Sequence, residues 1–459
     1  MNALSSPPVS RSTHGRSARA LARLAAVALL PFAGAQAAVS FRSEIAPILL
    51  DHCQTCHGPT EQRGGYRLDT FEFLGRNEDP SDPVLTAGNP DKSSLFHRLV
   101  TEDADERMPK KAPALPEALA LKIKQWIAEG APFDGEDRAA PMVELVPPKT
   151  HPPAPETYAA PVPVTALAFS PDGSELLVGG LREICVHDPA TGQIRRRIGN
   201  VPARTMDIAL HPDGRSFVTA GGTPGESGEI RQYDLASGKF LRRLASAADA
   251  FLDTEFTPDG KSLLVAGSDH SLSLVEVATG KKTHRLAAHS DAVTGLAMRP
   301  DGKQFASVGL DRIVKIFDTE TAKLKSTYRD HQSGLYAVGF LPNDEVFSAG
   351  KDKSAHVWSQ SDTKKKRELS GQGDLLRAVV VEGSVFAGGA SGKVLRVPVE
   401  KMSVTRTYEG LSDWIYAIAY DPASKRVAAG SYDGTVAVWD AESGALLAQF
   451  PGVPAAQKP

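Results

Sequence analysis

A four-residue turn recurs through roughly the last two thirds of the chain, and its spacing constrains the fold more than any other feature. It reads Ser170-Pro171-Asp172-Gly173, His211-Pro212-Asp213-Gly214, Thr257-Pro258-Asp259-Gly260 and Arg299-Pro300-Asp301-Gly302. Degenerate copies follow at Leu341-Pro342-Asn343-Asp344 and Asp421-Pro422. The prolines stand 41, 46, 42, 42 and then 80 residues apart, and the widest interval holds a copy near Glu382-Gly383 that has lost its proline. That makes seven units. Each begins with a short apolar strand, such as Val293 to Met298, which leads through the turn into a second strand ending in Ala or Gly. An Asp-containing turn and a β-branched strand follow, such as Arg312 to Phe317. A Thr-Gly or Ser-Gly turn, such as Thr279-Gly280, then precedes a charged last strand. Four strands in such a repeat are the signature of one propeller blade. A lone four-stranded sheet cannot bury both faces, whereas stacking sheets around an axis covers them and leaves few exposed edges. Small pairs such as Ala349-Gly350 and Ala429-Gly430 permit close packing near that axis.

These units resemble the WD-repeat family. The residues that carry the likeness are His289 with Asp311 and Phe317, His331 with Asp352 and Trp358, and Asp433 with Trp439-Asp440. The resemblance implies a structural hydrogen-bonded network of His, Asp and Trp within a blade. Phe317 stands where that pattern has Trp, and units one, two and six lack most of the set. The expected fold of residues 163–453 is therefore an all-β propeller of seven blades. No nucleophile–base–acid set is evident in it, so a catalytic role is left uncertain and no catalytic residue is assigned.

Residues 38–131 read differently, as a small all-α domain. Phe41, Ile45, Ile48 and Leu49 recur at helical spacing, with Pro47 placed to kink the helix. A second helix is expected over Ser93 to Val100. A third is expected to start at Pro116, with Leu119, Ile123, Trp126 and Ile127 on one face and Gly130 as its stop. After the first helix comes Cys53-Gln54-Thr55-Cys56-His57-Gly58. C-x-x-C-H is the spacing of c-type haem attachment. Two thiols one helical turn apart reach two vinyl groups on one porphyrin edge, and the adjoining His57 offers an imidazole to the iron. A thioredoxin-like pair would need a preceding strand in a βαβ unit, and a zinc site would need four N or S donors. Neither context is present. Cys185, the third cysteine, stands in an apolar run and reads as a small buried hydrophobe.

Met108 is the only methionine between the first residue and Met142, in a proline-containing loop before the third helix. It is the expected distal iron ligand, with His52 and His97 as the other candidates. A thioether there raises the haem potential relative to a second imidazole. Close to the whole of 38–131 resembles the Planctomycete-type cytochrome c domain. The matching residues are Phe41 to Leu49, Cys53 to Gly58, Gly65 to Asp69, Gly88-Asn89-Pro90 with Ser94 and Leu95, Arg107-Met108-Pro109, and Trp126-Ile127 with Gly130-Ala131. The resemblance implies one covalent haem c and electron transfer in exported proteins.

The ends and the joint support export and separation. Arg11, Arg16, Arg19 and Arg23 precede an apolar stretch from Leu24 to Ala33 and a small-residue site at Ala35-Gln36-Ala37. Residues 1–37 are thus expected to be a signal peptide cleaved near Ala37, giving a periplasmic protein with no transmembrane segment. Residues 132–162 hold prolines 132, 141, 147, 148, 152, 153, 155 and 161 and read as an extended, semi-rigid linker. The net charge of −3 over 459 residues argues against nucleic-acid binding. The basic run Lys364-Lys365-Lys366-Arg367 is either a solvated strand edge or a docking patch for an acidic redox partner. The expected function is electron transfer by a monohaem c-type cytochrome whose propeller docks a redox partner protein. An oxidoreductase with the haem as electron acceptor, and a haem-based sensor or scaffold, are the alternatives.

Overall fold

The computed structural model describes residues 38–455 except 55, 59–61, 77–78, 80, 111–112 and 382. The signal peptide expected over residues 1–37 lies outside the described residues. A small helical region precedes a seven-bladed propeller.

The helical region opens with a π-turn, Phe41–Ile45, that runs into α1, Ala46–His52. Pro47 produces no helix break here. It sits in the first turn of α1, where a missing N–H costs no helical hydrogen bond. Two further helices follow, α2 at Phe71–Leu74 and α3 at Ser94–Val100. The fourth, α4, spans Glu117–Ala128. Pro116 is not its first helical residue. It keeps extended backbone, with ψ at 133°, and its carbonyl accepts from Leu119 and Ala120 N–H at 2.9 and 3.2 Å, so it caps the helix instead. Phe41, Leu49, Leu74, Ile123 and Trp126 are fully buried in one core. Phe41 packs edge-on against Phe71 with ring centres 4.8 Å apart.

Within 132–162 the chain forms a short fifth helix, α5, at Met142–Leu145. Met142, Leu145 and Val146 fill the helical region's own core. Met142 N–H donates to Asp69 O at 2.7 Å. The other side of α5 is tied to blade two: Ser246 Oγ donates to Val143 O at 2.8 Å, and Arg243 caps the carbonyls of Glu144 and Val146. Lys282 of blade three pairs with the Glu144 carboxylate at 2.5 Å. Next along the chain, His151 Nε2 lies 2.6 Å from the Glu229 carboxylate. Fully buried Arg231 shares that carboxylate at 2.7 Å and donates to the Asn200 and Lys149 carbonyls. Hydrogen bonds from His151 and Arg231, with the Arg231 charge, hold Glu229 down to about 2 against its burial.

Each blade is four consecutive antiparallel strands. The first strands, from Ala166–Phe169 in blade one to Ile415–Asp421 in blade seven, surround the axis, and the last strands are the most exposed. The repeated turn has a steric reason. Gly173, Gly214, Gly260 and Gly302 lie at φ between 66 and 71°, a left-handed conformation that Gly adopts at little cost. In blade five Asn343 and Asp344 take the same region, which short polar side chains tolerate.

Two devices couple strands and blades. In blade four His289 Nδ1 lies 2.9 Å from Asp311 and its Nε2 lies 2.8 Å from Ser307 Oγ. Blade five repeats this with His331, Asp352 and Ser348 at 2.6 and 2.8 Å. Serine, rather than tryptophan, therefore completes the chain. Trp358 stacks on Tyr328 at 4.7 Å, and its Nε1 has no partner among the described residues. Trp439 donates instead to Glu409 O at 2.9 Å, in a blade without the His. The second device is an arginine clamp on the last strand. Arg196 forks onto Glu175 of its own blade and donates to Leu235 O of the next at 2.7 Å. Arg242 reaches the Val277 and Ala278 carbonyls, and Arg367 reaches Val399 O while pairing with Glu345.

Ring closure uses no exchanged strand. Val164 N–H donates to Ser431 O at 3.1 Å, and Leu167 and Phe169 pack with Ala417 and Val438. Outside the ring Tyr158 N–H donates to Pro454 O at 2.9 Å.

Arg196→Ala leaves Glu175 half-paired and severs a blade-to-blade bond, so it should lower unfolding stability by about 2 kcal/mol in urea titrations. Lys261→Ala, an exposed control, should stay within about 0.5 kcal/mol. A second expectation concerns acid. Burial, and then the neighbouring His331, push His356 down to about 4 from its ordinary 6.5. His356 is therefore neutral in the fold, and its contribution is complete above pH 6.5 and lost as pH falls towards 4. That loss, on the order of 2 kcal/mol, should be visible in unfolding midpoints and reduced in His356→Asn.

Candidate functional site

The Cys53–His57 turn is built by the end of α1. Cys53 and Gln54 N–H both donate to Leu49 O at 3.0 Å, closing the helix. Cys53 O then accepts from Cys56 N–H at 3.2 Å and His57 N–H at 3.1 Å. Both thiols and the imidazole thus issue from one tight turn. Gly58 is required behind it, because a Cβ there would lie 2.6 Å from Gln54 O.

The following segment fixes the ring. His57 O accepts from Leu68 N–H at 2.9 Å, and Cys56 O accepts from Arg63 N–H at 3.0 Å. His57 Nδ1 lies 3.3 Å from Tyr66 O. A backbone carbonyl can only accept, so Nδ1 is the donor in this contact and Nε2 is the nitrogen it leaves unengaged. Cys53 packs against the core with Tyr66, and burial pushes its thiol up to about 12, with the Cys56 charge adding to the effect. A reactive redox thiol has the opposite property, a lowered pKa. A covalently alkylated sulfur needs no charge, so this environment fits a thioether.

Met108 lies on another loop. Its N–H donates to Arg98 O at 2.7 Å, which anchors the loop on α3. Its side chain is half-buried, whereas His52 and His97 are exposed. Tyr66 lies in the Gly65 to Asp69 segment of the resemblance, but its role toward His57 has no signature in the sequence, because any residue supplies a carbonyl.

The propeller offers three further features. Among the described residues one group of three potential metal ligands occurs, His331, Asp352 and His356. His356 Nδ1 and Nε2 face Tyr328 Oη at 2.9 Å and Ser354 Oγ at 3.2 Å, and both nitrogens of His331 are engaged as above. Every donor atom of the imidazoles is occupied by protein. The axial channel, about 580 Å³, holds Asp207 and Asp253. Their oxygens converge on Thr254 N–H at 3.3 and 3.1 Å, and Asp253 also accepts from Leu296 N–H at 2.7 Å. Burial holds both carboxyls above the usual range, while nearby Arg377, bonded to Tyr416 O at 2.9 Å, opposes the shift. Finally, Trp414 and Tyr432 are 43% and 54% exposed, with Tyr416 between them at 6.4 and 5.9 Å. The basic run 364–367 is a paired strand edge: Lys365 meets Glu368, Lys366 meets Asp362 and Arg367 meets Glu345.

Comparison with known families agrees with both halves. The family described as Planctomycete cytochrome C matches residues 53–112. The family described as WD domain, G-beta repeat matches residues 280–318, 322–359 and 402–440. No curated protein matches the chain. No helix among the described residues is long and apolar enough to cross a membrane. The chain is a cytochrome-c-like domain fused to a seven-bladed WD-repeat propeller.

Proposed function

We propose that the chain is an exported monohaem c-type cytochrome that transfers electrons and docks a redox partner protein through its propeller. Cys53 and Cys56 carry haem c by thioether bonds, His57 is the proximal iron ligand and Met108 the distal one. The observation that carries this reading is the His57 Nδ1 contact with Tyr66 O, which presents Nε2 as the electron-pair donor. Bound haem supplies one-electron chemistry there. The protein's part is to fix the imidazole tautomer, to seat the Cys53 sulfur on the apolar core and to anchor the Met108 loop. Met108 is favoured over His52 and His97 because it alone of the three is half-buried rather than exposed.

Export at Ala37 is consistent with the folded part. Val39 is already buried in the core, and its N–H donates to Glu129 at 2.7 Å. WD-type propellers are suited to binding proteins, and the exposed Trp414 and Tyr432 are of the kind that anchors interfaces. The propeller and the helical region also share α5, so docking on one positions the other.

Three measurements test this. Cys53→Ser with Cys56→Ser should abolish covalent haem on a denaturing gel of protein matured in a c-type host. Met108→Ala should keep covalent haem but change the oxidised spectrum and lower the potential; an unchanged spectrum and potential would remove Met108 as ligand. Trp414→Ser with Tyr432→Ser should reduce capture of the redox partner from periplasm by about tenfold with the haem spectrum intact.

A further inference from the structure

A cleft of about 450 Å³ lies where the segment after α5 crosses the last strand of blade two, Phe240–Ala247, and a turn of blade three. Arg42, Arg242, Arg243 and Lys282 line it, and Glu144 is the carboxylate among its lining residues. Glu144 is already committed to Lys282 at 2.5 Å. Arg243 keeps only 12% side-chain exposure; its nearest carboxylate is Glu229 at 3.5 Å, which His151 and Arg231 hold more closely. Arg242 spends its hydrogen bonds on neutral acceptors, Gln232 Oε1 and the Val277 and Ala278 carbonyls. Arg42 donates through Nε to Leu145 O at 3.0 Å. The carboxylate near Arg42, Asp134, binds its backbone N–H and the Ser40 hydroxyl from outside the cleft lining.

Four cations therefore face one lining carboxylate in a chain whose overall charge is −3. This local excess is not inherited from composition. Positive charge confined between low-dielectric walls attracts anions strongly, and guanidinium forks match oxyanion geometry. We propose that this cleft binds a small multivalent oxyanion, a phosphate or a polycarboxylate, between Arg42, Arg242 and Arg243, beside the Lys282–Glu144 pair. The occupant would offset the unpaired cations and brace α5 against blades two and three. Nothing in this depends on haem.

Isothermal titration of the full chain tests it, with inorganic phosphate and with citrate as separate arms and chloride at matched ionic strength as the blank. One saturable site of millimolar affinity or tighter is expected for at least one anion, and the arm that binds identifies the oxyanion class. Arg42→Gln and Arg242→Gln should each weaken it about tenfold, while Lys364→Gln on the far strand edge should not. Saturating anion should also raise the thermal midpoint of the parent more than that of either variant. Should Arg242→Gln unfold through loss of its blade contact, Arg42→Gln, an exposed side chain, decides alone. Absence of saturable binding by both anions, or equal affinity in parent and Arg42→Gln, overturns the proposal.

Discussion

Every blade has two apolar faces and can cover them only with its neighbours, and the rest of the structure follows from that constraint. Leu176 and Val178 of blade one pack with Val436 and Val438 of blade seven just as Val218 and Ile230 of blade two pack with Leu263 and Val275 of blade three. An open array would leave two such faces in water. Here closure is achieved without lending a strand from one chain end to the other, since all seven sheets are sequence-contiguous. The seam depends on side-chain packing, on the Val164–Ser431 bond and on Arg426 reaching Gly173 O. Arginine clamps distribute the same function around the ring. Each donates to a carbonyl just past the end of the next blade's third strand, so their loss would cost both a hydrogen bond and a desolvated acceptor.

The helical region is held to this ring by chemistry of another kind. Its core includes residues from the proline-rich segment, and the polar side of that segment is fastened to blade two by Glu229, Arg231, His151 and Arg243. Burying so many charges is unfavourable unless each is paired. The network meets that condition at Glu229 and leaves positive charge in excess beside Arg42 and Arg242. Proline content predicts extension because X-Pro pairs disfavour helix. Yet Pro141, preceding α5, has extended backbone and starts a helix rather than preventing one.

Much of this was legible in the sequence. The seven units and the cysteine–histidine turn after a helix follow from residue spacing, and the His–Asp pairs of blades four and five from the likeness to the WD-repeat family. The Ser307 and Ser348 partners were also within reach, since each stands four residues before its Asp, but a lone serine carries little signal. The family pattern pointed to Trp358, whose role here is stacking. The orientation of His57 was not legible, because Tyr66 acts through its backbone. The charge imbalance beside α5 was hidden for a related reason. Arg42, Glu144, Arg242 and Lys282 are far apart in sequence and come from three structural units.

The amino-acid sequence alone determined the local chemistry: which residues turn, which alternate in strands, and which two thiols and one imidazole share a single turn. These depend on spacings of a few residues and on steric limits that each residue carries with it. Tertiary structure alone decided which carboxylates are shared, which cations are left over and which nitrogen of His57 is free. Those outcomes depend on distances between groups from nine to more than a hundred residues apart. Such distances are set only when apolar faces find their partners and water is excluded between them.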